Sequence, residues 1–416
     1  MKKWSAILAV LGLLLSMSTS VWAGQSADDS GVRILLNASD AKAKGLAIRN
    51  TFGDKVTAHV PTAALEGLSK AGITYETVPM AFIDAKADAG AAAKPAPGGG
   101  RPIPSTQVPY GIKMIYGNAT LSTSGISGGA GVTVAVLDTG ALTTHPDFTR
   151  ANGSKVFTGC VNFSDRRSNQ IEGQCADGNG HGTHVSGTIA AAGGADGLGI
   201  FGVAPQANLF AYKVLNDQGS GYADDIALAI RVAADRGANI ISMSLGGSSG
   251  SSLYLDAIRY ANSKGVLVIA AAGNSGPNAN TIGYPGGYKE AVAVASLNSN
   301  EVVSYYSSRG LTDGNDNSIA DREVEVAGPG RSTISTYKDG AYYTMSGTSM
   351  ATPHIAGLAA KMWNGASGTR SWLVNAAKSH DITSAEQINN AGVGYDIAAG
   401  YGLPQVTTLS QSLWNN

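Results

Sequence analysis

Apolar, β-branched runs alternate with stretches of helical periodicity from about residue 110 onward, and this alternation constrains the fold more than any other feature of the chain. Strand-like runs cover 132–137, 209–215, 240–243 and 266–271, and helical patterns cover 223–236 and 253–264. Gly237 and Gly265 follow the two helical patterns, at the position where glycine commonly ends a helix. Continuously apolar strands joined by helices are typical of parallel sheets. We therefore predict an α/β fold with a doubly wound, mostly parallel sheet flanked by helices.

Composition restricts the class of protein further. The 416 residues are 43% apolar and only 14% charged, and they include 55 glycines and carry a formal net charge of −1. Such a chain is neither a disordered tail nor a coiled coil, and it lacks the basic charge that attracts nucleic acid. We expect a globular protein without a nucleic-acid partner. No pattern suggests a subunit interface, so the expected state is a monomer.

The first residues have the layout of a secretory signal peptide. Lys2 and Lys3 precede an apolar run, and Ala23 supplies the small residue after which the peptide is cut. The run is too short for the roughly 30 Å of hydrocarbon in a bilayer, so an uncleaved anchor is the weaker alternative. We assign 1–23 to a signal peptide and expect a secreted, extracellular protein with no membrane attachment after cleavage.

Residues 24–84 have the pattern of a separate, small α+β unit. Strands are expected at 32–36, 56–60 and 75–78, and helices at 38–50 and 61–70. Residues 85–104 are rich in alanine, glycine and proline, a composition that buries no core and indicates a linker with a processing site. The large domain therefore occupies 105–416.

An oxidising extracellular compartment makes the two cysteines informative. Cys160 and Cys175 lie close in sequence, and such a pair in a secreted protein is usually joined. Neither cysteine has the spacing of a zinc site or of a C-x-x-C redox motif. We predict a disulfide, with two free thiols as the alternative.

Four polar residues follow strand ends or begin a helix, where doubly wound sheets collect their functional groups. Asp138 ends a strand run in Asp-Thr-Gly, and Asn274 follows another in Gly-Asn-Ser. His181 lies in Asn-Gly-His-Gly-Thr-His, and Ser349 begins a helical stretch in Gly-Thr-Ser-Met-Ala. Each residue alone could be an ordinary cap or turn residue. His181 and His184 have metal-ligand spacing, but no third ligand accompanies them, and we expect His184 to be a buried, hydrogen-bonded histidine.

Taken together, these residues are far more specific. The order is Asp138, His181, Ser349, whereas an α/β-hydrolase esterase would place its serine first, within G-x-S-x-G. From about residue 108 to 410 the chain resembles the subtilisin family of serine proteases. The resemblance implies that Ser349 attacks a peptide carbonyl, that His181 transfers the proton and that Asp138 orients the imidazole. It also implies that Asn274 and the Ser349 backbone N–H bind the oxyanion.

The resemblance further implies a cleft that binds extended protein or peptide substrates with broad specificity. The main chain of the substrate would be held as an added strand by Ser220, Gly221 and Tyr222 and by Ser244, Leu245 and Gly246. The main side-chain pocket would be lined by Gly246, Ala271, Ala272, Gly273 and Gly283. Ser275 stands where some relatives carry a glutamate, so large apolar side chains are expected before the cleaved bond.

Zymogen processing and metal binding are implied by the resemblance alone. The unit at 24–84 is similar to the family's propeptide, a folding chaperone and inhibitor, and Ser105-Thr-Gln-Val-Pro-Tyr-Gly resembles a mature N-terminus, which predicts cleavage between Arg101 and Thr106. Calcium is the implied structural ligand, held by Asp147 with Asp196 of the loop 192–200. The acidic loop 313–323 is a second candidate cation site, with a solvated loop as its alternative.

Two other functions stay open at this stage. A protein of this fold could bind or inhibit after losing its chemistry, although the intact catalytic set argues against that. The other alternative is a secreted esterase of the α/β-hydrolase class, which the order of the catalytic residues disfavours.

Overall fold

The computed structural model describes residues 31–83, 85–87, 102–312, 319–386 and 391–406. Its contacts divide the chain into two compact units, Met1–Val78 and Pro79–Asn416. The predicted signal peptide at 1–23 and most of the predicted linker lie outside the described residues. Within the ranges just given, no helix is both long enough and apolar enough to span a bilayer.

The first unit is built on a four-stranded antiparallel sheet with the strand order β2-β3-β1-β4. In chain order its elements are β1 (Gly31–Asn37), α1 (Ala38–Ala43), β2 (Ile48–Phe52), β3 (Lys55–Pro61), α2 (Ala64–Lys70) and β4 (Tyr75–Thr77). Alternate apolar residues of β1 and β3 form a core with Leu68 of α2, and these are Ile34, Leu36, Val56, Ala58 and Val60.

The predicted helix over 38–50 was wrong in its second half. The helix ends after Ala43, the chain turns at Gly45 with φ +63°, and Ile48–Phe52 forms a strand instead. Ile48 pairs with Ala58 of β3. The physical reason is that a left-handed glycine ends the helix and sheet pairing then overrides local helix propensity.

The second unit contains the remaining elements. Its strands are β5 (Met80–Phe82), β6 (Lys86–Ala87), β7 (Thr133–Asp138), β8 (Phe157–Asn162), β9 (Ile171–Glu172), β10 (Asn208–Lys213), β11 (Ser220–Tyr222), β12 (Ile240–Met243), β13 (Leu267–Ala271), β14 (Val292–Leu297), β15 (Val326–Pro329), β16 (Thr333–Thr336) and β17 (Tyr342–Ser346). Its helices are α3 (Tyr110–Ile115), α4 (His181–Ala190), α5 (Ala223–Asp235), α6 (Ser252–Ser263), α7 (Thr348–Lys361) and α8 (Ala366–Lys378).

Eight of these strands form one sheet in the order β15-β14-β13-β12-β7-β10-β8-β9. All neighbours pair in parallel except the short edge strand β9, which is antiparallel to β8. Helices α4 and α7 pack together, α5 and α6 pack together, and α7 contacts β12 to β15. The predicted fold class is confirmed. Gly237 and Gly265 have φ of +77° and +78° just past α5 and α6, which confirms the predicted helix ends.

Strand β7 lies at the point where the order of the strands switches sides: strands β8 to β10 lie on one side of it, and β12 to β15 lie on the other. It pairs with β10 on one side, and after β10 the chain crosses to β12 on its other side. At such a switch point the connections leave in opposite directions and open a crevice beyond the carboxyl ends of the strands. Asp138 is the last residue of β7 and therefore lies at that crevice.

Candidate active site

Asp138 and His181 form a buried pair at the end of β7. The Nδ1 atom of His181, the first residue of α4, lies 2.7 Å from Oδ1 of Asp138, and both side chains are almost fully buried. The same carboxylate oxygen accepts a hydrogen bond of 2.7 Å from the Thr139 N–H. Among the described residues, Nε2 of His181 has no hydrogen-bond partner. The imidazole is thus held through one nitrogen while the other can accept a proton.

A glycine lets α4 begin this close to the end of β7. A Cβ on Gly182 would lie 2.0 Å from the carbonyl oxygen of Gly140, in the turn that follows Asp138. The N–H of Gly182 instead donates to Oγ1 of Thr139 at 2.9 Å. The small residue beside His181 therefore allows a close backbone approach, which brings the imidazole within hydrogen-bond distance of the Asp138 carboxylate.

Ser349 is the second residue of α7, and hydrogen bonds with Ser244 hold it in place. Pro353 has no N–H to donate to the Ser349 carbonyl four residues earlier, so that oxygen is free for another donor. The Ser244 hydroxyl donates to it at 2.7 Å, and the Ser349 hydroxyl donates to the Ser244 carbonyl at 3.2 Å. These two bonds join the helix start to the segment after β12.

Asn274 follows β13 and faces the start of α7. Its Oδ1 accepts hydrogen bonds from the Thr348 N–H at 2.8 Å and from the Thr348 hydroxyl at 3.1 Å. Because the oxygen is engaged, the amide nitrogen points the other way, and a Cβ on Gly347 would lie 3.4 Å from it. The Nδ2 group and the Ser349 N–H, the second of α7, can therefore act on the same oxygen atom.

His184 is confirmed as a buried structural histidine. Its Nε2 lies 3.2 Å from the Thr333 carbonyl and 3.0 Å from the Tyr343 carbonyl, so the ring donates there. Complete burial, with His181 nearby, lowers the pKa of His184 to about 3 and keeps it neutral. Within the described part of the chain, no three His, Cys, Asp or Glu side chains form a group that could hold a metal.

A cavity of about 310 Å³ opens beside Ser349 and Asn274. The expected residues Leu245, Gly246, Ala271, Gly273 and Gly283 line it, together with Ser275. Ala272 does not line it: this residue is fully buried, and its carbonyl accepts a 2.9 Å hydrogen bond from the Gly283 N–H. The remaining expected substrate contacts, Ser244 and the three residues of β11, Ser220 to Tyr222, lie outside the cavity.

Arg322 also lines this cavity, and sequence reasoning missed it. Its Nη2 donates to the Asn280 carbonyl at 3.1 Å, and its backbone has φ of +65°. The residue lies before β15 in the segment 313–323, which the sequence indicated only as an acidic loop. Only its left-handed conformation is unusual for an arginine, and no sequence pattern indicates that.

The predicted disulfide between Cys160 and Cys175 is confirmed. Cys160 belongs to β8, and the carbonyl of Cys175 accepts a 2.9 Å hydrogen bond from the Ala141 N–H, in the turn after Asp138. A Cβ on Gly140 would lie 2.3 Å from that same carbonyl oxygen. The bridged loop therefore packs directly against the turn that follows Asp138.

Asp147, the expected calcium ligand, is fully buried in a short 3-10 helix and hydrogen-bonded to the protein. The Tyr342 hydroxyl donates to its two oxygens at 2.9 and 3.1 Å, and the Ile200 N–H donates to Oδ2 at 2.7 Å. Asp196 is exposed, and its Oδ1 accepts a hydrogen bond of 3.1 Å from the Leu198 N–H.

The loop beside Asp147 also offers main-chain oxygens. The Gly197 and Gly199 carbonyls accept hydrogen bonds of 2.6 and 3.2 Å from Nε2 of Gln107. Calcium prefers such oxygen donors but takes 6–8 of them. Carboxylate and carbonyl oxygens are the type of ligand that calcium prefers. In this structure, however, these oxygens accept hydrogen bonds from protein N–H and O–H groups. The second candidate loop falls largely within 313–318, outside the described residues.

Comparisons with known proteins identify the family to which this chain belongs. The chain order of the candidate residues, Asp138, His181 and Ser349, is the order found in serine endopeptidases of the subtilisin type. A model of the subtilase family matches residues 129–402, so the chain belongs to that family and is a serine endopeptidase. The predicted family and enzyme class are confirmed.

Individual relatives extend the comparison. Subtilisin from Bacillus sp. strain TA39 is 42% identical over 429 aligned residues, which cover 97% of this chain and 98% of that protein. Thermitase from Thermoactinomyces vulgaris is 42% identical over 255 residues, or 61% of this chain and 83% of that protein. The solved structure of sphericase is 48% identical with a TM-score of 0.69, covering 73% of this chain and 99% of that one. The S41 psychrophilic protease has the same identity and coverage and a TM-score of 0.68.

Proposed function

We propose that this protein is a secreted serine endopeptidase, made as a zymogen, that cleaves proteins with broad sequence specificity. The observation that carries the proposal is the 2.7 Å contact between Asp138 and His181, whose other ring nitrogen has no partner among the described residues. A base held in this way can accept the proton of a serine hydroxyl. Ser349, at the start of α7, is the candidate that the family's motif indicates.

The catalytic step uses groups of this chain alone. Ser349 Oγ attacks the substrate carbonyl while His181 Nε2 takes its proton, and Asp138 stabilises the resulting imidazolium. The tetrahedral oxyanion accepts hydrogen bonds from Asn274 Nδ2 and the Ser349 N–H. His181 then protonates the leaving amine, and water hydrolyses the acyl-enzyme. The Ser349 hydroxyl, which donates to Ser244 at 3.2 Å, has to turn toward His181 first.

Substrate binding is proposed to rely on main-chain pairing with β11 and with the segment Ser244 to Gly246. Such pairing does not discriminate between sequences, which supports broad specificity. The cavity lined by Leu245, Ala271 and Ile282 suits a large apolar side chain before the cleaved bond. Arg322 adds a positive charge to the same cavity, which disfavours lysine and arginine there.

This specificity gives a direct test with peptide nitroanilides that differ only in the residue before the cleaved bond. We expect kcat/KM for phenylalanine to exceed that for lysine by on the order of tenfold or more. Arg322→Gln should raise kcat/KM for the lysine peptide and leave the phenylalanine peptide nearly unchanged. Equal rates for both peptides with the wild type would contradict the apolar preference, and an unchanged lysine rate in the variant would contradict the role of Arg322.

The remaining parts of the proposal concern processing and location. The sequence of 1–23 supports secretion, and the unit at 24–84 is proposed to inhibit the enzyme until it is removed. The mature chain is expected to begin between Arg101 and Thr106 and to act as a monomer, with proteins and peptides as its partners.

Calcium is proposed as a structural ligand at Asp147 and the adjoining loop, with Asp196 as an additional ligand. A cation that binds only the folded state raises the apparent stability. We therefore expect added calcium to raise the Tm of the wild type over that measured with a chelator, and to have no such effect on Asp147→Asn. Asp256 is exposed, so Asp256→Asn is the matched control and should keep the wild-type calcium response. If calcium fails to raise the Tm of the wild type, protein donors alone hold this loop.

A further inference from the structure

Residues 79–83 of this chain lie in the substrate cleft as an added strand. Strand β5 pairs antiparallel with β11, with Ala81 opposite Gly221. On its other side Phe82 exchanges two hydrogen bonds with Gly246, at 2.9 and 3.0 Å. The next residue, Ile83, donates to the Gly219 carbonyl at 2.9 Å. The two segments proposed above to hold a substrate main chain therefore hold this one.

The chain then continues along the other half of the cleft. Lys86 and Ala87 form β6, which pairs antiparallel with Ser346 and Met345 at the end of β17, immediately before the start of α7. A peptide that is held on both sides of Ser349 has to cross it between these two paired stretches. In sequence, only residues 83–85 separate the two paired stretches.

The position of Ala85 defines the crossing more closely. A Cβ on Gly347 would lie 3.4 Å from Cα and Cβ of Ala85 and equally 3.4 Å from Nδ2 of Asn274. Ala85 and the residue proposed to bind the oxyanion therefore both border Gly347, the residue before α7. We propose that the peptide bond whose nitrogen belongs to Ala85 is the first bond that the enzyme cleaves in its own chain. This proposal rests on the proposed function.

The reaction is a single acyl transfer followed by hydrolysis. Ser349 Oγ forms a bond to the carbonyl carbon of residue 84, and the bond from that carbon to the Ala85 nitrogen breaks. The serine proton passes through His181 to the Ala85 nitrogen, which leaves as an amine. Water then adds to the ester, which releases residue 84 as a carboxylic acid and returns the proton to Ser349.

The sequence places an aspartate, Asp84, before this bond, although the proposed preference is for apolar residues. Attachment to the enzyme makes the encounter unimolecular, so a single turnover does not need an optimal side chain. The pocket also carries the positive charge of Arg322, which is opposite in sign to a carboxylate. Asp84 itself lies outside the described residues, and the assignment depends on its neighbours on either side.

The consequence is a maturation in two cuts. The first product would begin at Ala85 and retain the segment rich in alanine, glycine and proline. The second cut, between Arg101 and Thr106, would then remove that segment. The same strand pairing makes residues 80–83 and 85–87 an intramolecular blockade of the cleft, which lasts until the cut segment leaves.

The order of cuts can be tested on the full precursor carrying Asn274→Ala. Loss of the corresponding oxyanion donor in subtilisin, a relative of this protein, slows turnover by about 10²–10³, which would let early products accumulate. Intact mass and N-terminal sequencing follow the products during refolding. The first new N-terminus should be Ala85, paired with a fragment that ends at Asp84. A later species should begin between residues 101 and 106.

Two proline variants and one inactive variant complete the design. Ala85→Pro removes the N–H of the leaving nitrogen and fixes its φ, so the Ala85 product should disappear. Ala91→Pro makes the same change in the linker and should leave the first cut unaltered. If the first cut requires Ser349 but falls at another bond, this inference is overturned and the proposed function stands. If Ser349→Ala is processed as fast as the wild type, or no cut occurs, the proposed function fails as well.

Discussion

Replacing Ser349 with alanine is expected to remove essentially all peptidase activity, because the neighbouring hydroxyl, that of Thr348, is bonded to Oδ1 of Asn274 and does not replace it as the nucleophile. The expected loss in kcat is on the order of 10⁶, the size of effect that loss of the nucleophile has in subtilisin itself. Hydrolysis of a peptide nitroanilide by the purified mature protein measures the loss. A fluorophosphonate should label the wild type at Ser349 and leave the variant unlabelled.

The matched control is Ser263→Ala. Ser263 is exposed at the end of α6, where its hydroxyl donates to the Tyr260 carbonyl at 2.7 Å. This variant should keep wild-type activity and labelling. If Ser349→Ala retained more than a small fraction of the wild-type rate, or if the wild type were labelled at a different serine, the nucleophile would have been assigned wrongly.

The substitution Asp138→Asn is expected to have the next largest effect. An asparagine preserves the size of the side chain, but its amide can donate to Nδ1 of His181, which leaves the proton on Nε2, the atom that must accept the serine proton. The loss in kcat at neutral pH should be about 10⁴, the size of effect that the same substitution has in a serine protease of another fold with these three catalytic groups. KM should change little, because Asp138 does not line the substrate cavity.

Steady-state kinetics on one nitroanilide substrate check this expectation, with the exposed Asp256→Asn as a control that should behave as the wild type. Near-UV circular dichroism of the Asp138 variant should match that of the wild type, which separates a catalytic effect from misfolding. A loss of less than tenfold in kcat would show that Asp138 does not orient the imidazole. A rise in KM with unchanged kcat would indicate a role in substrate binding instead.

Much of the candidate active site could be proposed from sequence because its residues lie in short, distinctive segments. Asp138 ends a buried strand, His181 begins one helix, and Ser349 is the second residue of another, with small residues around both. Strand periodicity and glycine helix ends are local properties, so the pattern of the large sheet could also be predicted. The family resemblance then supplied roles that no single segment indicates.

The failures of prediction have a common physical cause. The helix expected over 38–50 gives way to a strand after Ala43, because pairing of Ile48 with Ala58 outweighs the local preference. Ala272 was expected in the pocket wall but is buried behind it, where its carbonyl binds Gly283. Both outcomes depend on a partner segment that lies elsewhere in the chain.

The sequence by itself therefore determined the class of fold, the family and the identity of the candidate acid, base and nucleophile, since these depend on periodicity and on neighbouring residues. Only the tertiary structure decided that Arg322 lines the cavity beside Ser349 and that Ala81, Phe82 and Ile83 bind along β11, Gly219 and Gly246. These arrangements result from packing and strand pairing between segments that are distant in the chain. A local pattern of residues carries no information about which distant segment will become its neighbour.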